Sequence, residues 1–429
     1  ERSTGKWPTY DAYRGTAVSG LGQVPSHWQT VPLKYLTREI EQGWSPQCDG
    51  FPIVSKDEWG VLKVGCVNGG VFKPEENKRL PSELEPVPEL SIRKGDLLIS
   101  RANTRELVGG VAVADKDYPN LLLCDKLYRL RMDTTRCLPE FTAAFLSTAY
   151  VRSQIELNAS GASASMLNIS QATIKDLRVP FPPDTNEQAA IIRFIRREKG
   201  SIDLLIGKQE RLIDLLAEKR QFVIDRATTR GIDDDVALHD SSIRGLGQIR
   251  ADWGLRRIAS ISTKITNGYV GPTRDILADE GVRYLQSLHI KANRIQFDFP
   301  YYVKEDWSLR HSKSILAAGD VLIVQTGDIG QVAVVPEEFA GCNCHALIIV
   351  SPVRGEVSGE WISWVLNSTY GRNTLLSIQT GALHPHLNCG NVRDVAVPIP
   401  PLDGQDRITA HIRLEVCRIG ALISKCRRT

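Results

Sequence analysis

One pattern appears twice in this chain. Gly20-Leu21-Gly22-Gln23, closed by Trp28, returns as Gly245-Leu246-Gly247-Gln248, closed by Trp253. Lys94-Gly95-Asp96-Leu97-Leu98-Ile99 returns as Ala318-Gly319-Asp320-Val321-Leu322-Ile323. Gly161-Ala162 and Leu167-Asn168 return as Gly381-Ala382 and Leu387-Asn388. Val179-Pro180-Phe181-Pro182-Pro183 returns as Val397-Pro398-Ile399-Pro400-Pro401. The offset shrinks only from 225 residues, at Leu21 and Leu246, to 218, at Pro180 and Pro398. Repeats of that length are domains rather than solenoid coils. With 429 residues there is room for two such domains, each with its own core.

A different texture separates the copies. From Thr185 to about Arg230 there is no proline. Apolar residues recur every seventh position at Ile195, Ile202, Leu216 and Val223, with Gln209 interrupting. A second row runs through Ile191, Leu205 and Leu212, with Glu198 interrupting. This spacing keeps one stripe on one helix face, as in a coiled-coil seam. Asp184, Thr185 or Asn186 can cap the helix, and Pro182-Pro183 stops it from extending backwards. At 1.5 Å per residue it is on the order of 65 Å long, which suits a spacer or a docking rod. The stripe is duplicated too: Ile191, Ile195, Ile202 and Leu205 return as Ile408, Ile412, Ile419 and Leu422. The second helix starts near Gln405 and is shorter. Antiparallel packing of the two about a pseudo-dyad is the simplest arrangement.

Each globular copy mixes strand and helix. β-type runs fall at 61–64, 96–100, 110–114 and 127–131, and again at 283–285, 320–325, 331–335 and 346–350. Helical stretches fall at 139–157 and 358–378. The expected fold class is α+β, with two pseudo-symmetric mixed α/β domains separated by two long antiparallel coiled-coil-like helices. The boundaries read as 1–183 for the first domain with its N-terminal segment and 184–244 for the central helix and an exposed linker. The second domain reads as 245–401 and the short second helix as 402–429. No apolar run approaches the roughly 20 residues of a membrane helix. Residues 1–10 lack the apolar core of a signal peptide. Nine cysteines, an odd number at scattered positions, suit reduced thiols in a cytoplasm. A net charge of +3 is compatible with nucleic acid and carries little weight by itself.

Catalytic signatures are missing. The sequence holds no phosphate-binding G-x-x-x-x-G-K-[ST] loop, no G-x-S-x-G elbow and no H-E-x-x-H. Phe181-Pro182-Pro183-Asp184 has the wrong order for an amino-methyltransferase tetrapeptide. Cys342, Cys344, His345, His384, His386 and Cys389 form the best metal candidate. The first copy argues against it, because Cys344 corresponds to Cys124 while Cys342, His384, His386 and Cys389 correspond to Leu122, Ala164, Met166 and Ile169. The expected metal set is therefore none.

The polar loops are more informative. Arg101, Asn103 and Arg105 follow a buried-looking strand, and the matching loop carries Gln325, Thr326 and Asp328. A second loop carries Ser163, Ser165 and Asn168 in one copy, and His384, His386 and Asn388 in the other. A third carries Gln42, Trp44, Ser45 and Gln47, matched by Asn267 and Tyr269. Arginine pairs well with guanine and asparagine with adenine in the major groove. A shared frame with changed polar contents is what two readers of two short sequences require. A pseudo-dimer also suits a ligand with approximate two-fold symmetry, and double-stranded DNA leads that class.

The chain resembles the specificity subunits of type I restriction–modification systems. The resemblance rests on the two Pro-Pro-to-Gln-to-Ile helix starts, Pro182 to Ile195 and Pro400 to Ile412. It rests also on the run Lys208 to Arg220, on Thr229-Arg230-Gly231 before the Leu-Gly-Gln-Trp box, and on Gly95 to Asn103. It implies two target recognition domains, each reading half of a bipartite asymmetric DNA target. It implies conserved helices that set the spacing and dock two modification subunits, with restriction subunits outside. No cofactor is expected in this chain; S-adenosylmethionine, ATP and magnesium would belong to the partners. The competing expectation is a self-sufficient DNA adenine methyltransferase or nuclease with an unrecognised active site.

Overall fold

The apolar runs after each Gly-Asp pair become central strands of two four-stranded sheets. The computed structural model describes residues 10–16, 20–163, 166–381 and 383–428. In the first copy, β1 (Thr37–Gln42), β2 (Leu97–Ser100), β3 (Val111–Val113) and β4 (Leu127–Met132) pair antiparallel in the order β3-β2-β4-β1. In the second, β5 (Ser262–Asn267), β6 (Val321–Val324), β7 (Val332–Val334) and β8 (Leu347–Pro352) pair as β7-β6-β8-β5, the same order. All four residues of β2 and of β6 are buried, as continuous apolar strands require. Alternate residues enter different cores: Leu97 and Ile99 face one, Leu98 the other. Val321 and Ile323 likewise separate from Leu322 and Val324.

The Gly-Asp pairs are turn devices. Gly95 and Gly319 have φ of 84° and 85°, the left-handed region that glycine enters without strain. The next residue then turns back: Asp96 Oδ2 accepts from the Arg93 N–H (2.9 Å) and Asp320 Oδ2 from the Ala317 N–H (2.8 Å). In each copy the strand just before the sheet also pairs with the last strand of the copy. Gln29–Pro32 joins Arg178–Phe181, and Gly254–Arg257 joins Ala396–Ile399.

Two helical stretches break where the sequence reading ran them through. Residues 139–157 form Pro139–Leu146 and Ala149–Asn158, and 358–378 form Gly359–Asn367 and Thr369–Ser377. Thr148 and Ser368 stand at the breaks and cap the second helix of each pair, accepting from the Val151 and Gly371 N–H groups. The expected exposed linker is also more ordered. Leu238–Asp240 pairs with Gln248–Arg250, and Asp233 bridges to Arg250 at 2.7 Å.

The chain divides into two compact units, Glu1–Leu204 and Leu205–Thr429, within the central helix Thr185–Arg230. Each copy is locked to its long helix by one buried glutamine. The Gln188 side chain accepts from the Leu138 N–H (2.8 Å) and donates to the Arg136 and Pro182 carbonyls (2.8 and 2.9 Å). Gln405 accepts from the Ser358 N–H (2.8 Å) and donates to the Glu356 and Pro400 carbonyls (3.2 and 2.9 Å). The Pro-Pro-to-Gln motif is thus a clasp that meets every hydrogen-bonding need of a side chain fully out of water.

Within the second unit, the helix Leu402–Arg428 packs antiparallel on the end of the central helix. Ile224 and Ala227 share a core with Ile408, Ile412 and Val416, while Gln209 Nε2 donates to the Cys426 carbonyl. Ile419 is buried; Leu216 and Val223 are half-buried. The sequence stripe overshoots this seam. Ile195, Ile202, Leu205 and Leu212 are 42–62% exposed, and Leu422 is 51% exposed. Ile191 is half-buried against the first unit's core, where Ile192 is the buried residue. The seam is narrower than the heptad pattern because burial needs an opposing surface, which the pattern along one helix does not supply. Among the described residues no helix is long and apolar enough to cross a membrane.

Candidate nucleic-acid interface

One end of the first unit's sheet collects residues from four separate loops. The chain leaves β1 through Gly43, where a Cβ would meet the Leu123 carbonyl at 2.0 Å, so only glycine allows this approach. Trp44 then donates its N–H to that carbonyl (3.0 Å) and half-buries its ring. Ser45 Oγ hydrogen-bonds the Asp125 carboxylate, and Arg101 Nη1 donates to the Asp125 carbonyl (3.2 Å). The Arg101 guanidinium lies 5.9 Å from the Tyr128 ring centroid. Asn103 pairs with Leu167 and Ala102 with Asn168 in a short sheet. Gln42 is exposed at the end of β1, Gln47 is exposed further along its loop, and Arg105 is exposed in the loop after Asn103. Ser165 lies outside the described residues, and Ser163 is described only as strand backbone.

The second unit repeats this geometry with other side chains. Gly268 is again forced, since a Cβ would meet the Cys344 carbonyl at 2.6 Å. Tyr269 donates its N–H to that carbonyl (2.8 Å) and bridges to His345. Tyr269 stands where Trp44 does, so this contact aligns Cys344 with Leu123 and His345 with Cys124. That corrects the correspondence of Cys344 with Cys124, because the second copy is one residue shorter before its last sheet strand. The Gln325 carbonyl accepts from the Leu387 N–H (3.0 Å), joining the two loops. Asn267 Oδ1 accepts from Cys389 Sγ (2.9 Å), and Asn388 caps the short helix Cys389–Val392. His386 sits against Thr380, with Nε2 at 3.2 Å from Oγ1. Thr326, Asp328 and His384 line a groove of about 540 Å³ with Arg372 and Gln379.

Both sheet ends hold polar atoms with unmet capacity. Ser100 Oγ, Arg101 Nε and Asn103 Nδ2 are buried without a partner among the described residues, as is Gln325 Oε1. Buried polar groups are normally satisfied, so these atoms retain hydrogen-bonding capacity that a water or a ligand can take up. Among the described residues no group of three or more His, Cys, Asp or Glu is placed to hold a metal. Burial holds the His345 ring below the usual histidine range and pushes the Cys344 thiol upward, which suits packed neutral side chains.

Sequence reasoning missed Asp125, Arg372 and the aromatic group beside Tyr269. Trp307 and His311 stack at 4.0 Å, with Tyr269 edge-on at 5.1 and 5.2 Å. Arg372 was accessible through the repeat, because Tyr150 and Arg152 return as Tyr370 and Arg372. Trp307 and His311 lie in a stretch where the copies share no obvious pattern.

Comparison with known proteins places the arrangement. Residues 55–212 match a family described as the type I restriction modification DNA specificity domain. The chain is 28% identical over 161 residues to the type I restriction enzyme EcoEI specificity subunit of Escherichia coli, covering 38% of this chain and 27% of that protein. It is 22% identical over 409 residues to a protein of Methanocaldococcus jannaschii described as a type I restriction enzyme MjaX specificity subunit, covering 92% and 88% of the two. Among solved structures, the fold is similar to a chain from work on complex assembly and conformational transition of the type I R–M system. That likeness has a TM-score of 0.63 at 16% identity over 94% of both chains. It is also similar to the HsdS subunit from Thermoanaerobacter tengcongensis, with a TM-score of 0.58 at 16% identity over 95% and 93% of the two chains.

Proposed function

We propose that this chain, which belongs to the DNA specificity subunits of type I restriction–modification systems, reads a bipartite asymmetric target with one half assigned to each unit. It acts as the non-catalytic, sequence-reading part of a restriction enzyme complex. The observation that carries the division of labour is the pair of equivalent sheet ends. Both gather loops from the same four places in the repeat, both hold unpartnered buried polar atoms, and the polar contents differ. In the first unit Arg101, Asn103 and Arg105, with Gln42, Ser45, Gln47 and Asn168, face one half of the duplex. In the second unit Gln325, Thr326, Asp328, His384 and His386, with Asn267, Tyr269 and Asn388, face the other.

The exposed apolar stripe Ile195, Ile202, Leu205 and Leu212 supports a docking role for the central helix. We assign that surface to two modification subunits, which would carry S-adenosylmethionine and methylate adenine. Restriction subunits using ATP and magnesium would join outside them.

The test is selection of bound duplexes from a random library by the wild-type chain, Asn103→Ala and His384→Ala. The wild type should enrich a two-part motif, and each variant should relax a different part. A lost base contact costs roughly 1–3 kcal/mol at one position. Relaxation of both halves by Asn103→Ala would refute the assignment of one unit to one half.

A further inference from the structure

The second unit gathers arginines away from its reading edge. A groove of about 660 Å³ opens beside Gly319 and Val334. Val321 and Val334 are partners at this end of the β6–β7 pair, whereas Ile323 and Val332 are partners toward the reading loops. Arg294, Arg354 and Arg413 line the groove, and so does Trp364. Among the described residues, Arg413 alone of the three is paired, to Glu360 at 3.0 Å; Glu337 is the other acid in the wall. Among the described residues no carboxylate forms an ion pair with Arg294 or Arg354.

Two donors here lack an acceptor among the described residues. Trp364 is 5% exposed, yet its indole Nε1 has no hydrogen-bond partner. Arg220, on the central helix beside Arg294, is half-buried with its Nε unpartnered. Burial and the neighbouring Arg294 charge both lower the Arg220 pKa. A guanidinium drawn partly out of water is best matched by a carboxylate, and Arg220 and Arg294 instead lie beside each other, so this cluster is short of negative charge.

The first unit shows that the fold does not require this chemistry. Its equivalent groove, about 800 Å³, keeps the shared ion pair as Arg196–Glu140 (3.8 Å). Ala144 stands in the place of Trp364, and beyond that pair the wall holds one acid and one base, Asp115 and Lys199, among apolar residues that include Val71, Phe72, Ile192 and Ile195. Arg294, Arg354 and Trp364 are additions of the second unit.

We propose that this groove binds an acidic segment of a partner polypeptide through its aspartate or glutamate carboxylates. The guanidinium forks of Arg294 and Arg354 match carboxylate geometry. Val334, Pro336 and Trp364 supply apolar contact for the stems of such side chains. The position at the sheet end remote from Gln325 separates the groove from the proposed DNA edge, so this inference stands whether or not that reading holds.

The test uses the full chain labelled with ¹⁵N at tryptophan, with the Trp364 indole resonance identified by its loss in Trp364→Phe. Capped hexaglutamate should shift that resonance saturably, and capped hexalysine should not. Arg294→Glu, a surface change that leaves the core intact, should weaken hexaglutamate binding about tenfold or more, the scale of one lost charge-assisted contact. The same variant should select the same DNA motif as the wild type. An unmoved indole resonance would overturn the proposal. So would an equal shift from inorganic phosphate at the same concentration, which would make the groove a general anion site. Loss of half the DNA motif in Arg294→Glu would make it a DNA contact instead.

Discussion

One arginine is used in two ways by the two units. Arg152 in the first unit donates to the Val108 carbonyl and to those of Glu106 (2.9 Å) and Arg105 (3.5 Å), clamping the loop that follows Asn103. Arg372 holds the same place in the repeat, yet among the described residues its guanidinium makes no hydrogen bond or ion pair, and it lines the groove with Thr326, Asp328 and His384. The first unit's edge is internally hydrogen-bonded through Ser45, Asp125 and Arg101. The second unit's edge is aromatic and histidine-rich around Tyr269. The difference teaches that the repeat conserves backbone devices, namely the Gly-Asp turn, the forced glycine after the first sheet strand and the glutamine clasp. The side chains at the sheet end are free to diverge because none of these devices depends on them.

The strongest way to break this comparison is to remove a core that only one unit owns. Trp361 is fully buried, stacks edge-on with Trp253 at 5.5 Å and donates to the Pro398 carbonyl (2.7 Å). Trp361→Ala should destabilise the second unit by about 3–5 kcal/mol, with a similar loss in the first unit from Phe141→Ala. Hydrogen exchange read separately over the two units measures this. Equal loss of protection in both units from either change would show that the cores are not separate.

A smaller effect sharpens the contrast between the two arginines. Arg152→Ala should disorder its loop, losing roughly 1–3 kcal/mol of loop stabilisation, and raise exchange at residues 105–108. Arg372→Ala should leave thermal stability unchanged and weaken DNA binding with a reduced salt slope, as expected of a solvent-facing cation. Calorimetry with salt-dependent binding separates the two outcomes, and a stability loss in Arg372→Ala would remove the distinction.

The smallest expected effect is a pH response confined to the second unit. His289 is fully buried; its Nδ1 accepts from the Gln286 N–H (2.9 Å) and its Nε2 faces the Phe299 carbonyl (2.8 Å). Burial lowers its pKa, so the folded state keeps the ring neutral. The unfolded chain then binds more protons below the ordinary histidine range. Stability from this group is therefore present above that range and lost as pH falls through it toward the folded pKa. Melting at pH 7.5 and 5.5 should show a loss in the second unit that His289→Gln reduces. An identical acid response in the variant would remove His289 as its cause.

How far the sequence could be read differs by element. The repeated sheets were legible because Leu97–Ile99 and Val321–Ile323 are apolar runs bounded by glycine, a signal carried within a few residues. The long helix was legible for the same reason. The seam was legible only in part: Ile408, Ile412 and Ile419 are buried, but Ile202, Leu205 and Leu422 follow the same period and are exposed. A heptad says which residues share a face and not what lies opposite.

What the sequence determined by itself was the duplication, the α+β class, the helix starts and the places where loops leave the sheets. These follow from periodicity and from backbone needs that glycine, proline and a following aspartate meet locally. Tertiary structure alone decided that Asp125 joins Ser45 and Arg101, that one deleted residue puts His345 in the place of Cys124, and that the Arg152 guanidinium is bound where that of Arg372 faces a groove. Each of those depends on which distant segment is brought within hydrogen-bond reach, and no spacing along a single chain encodes that distance.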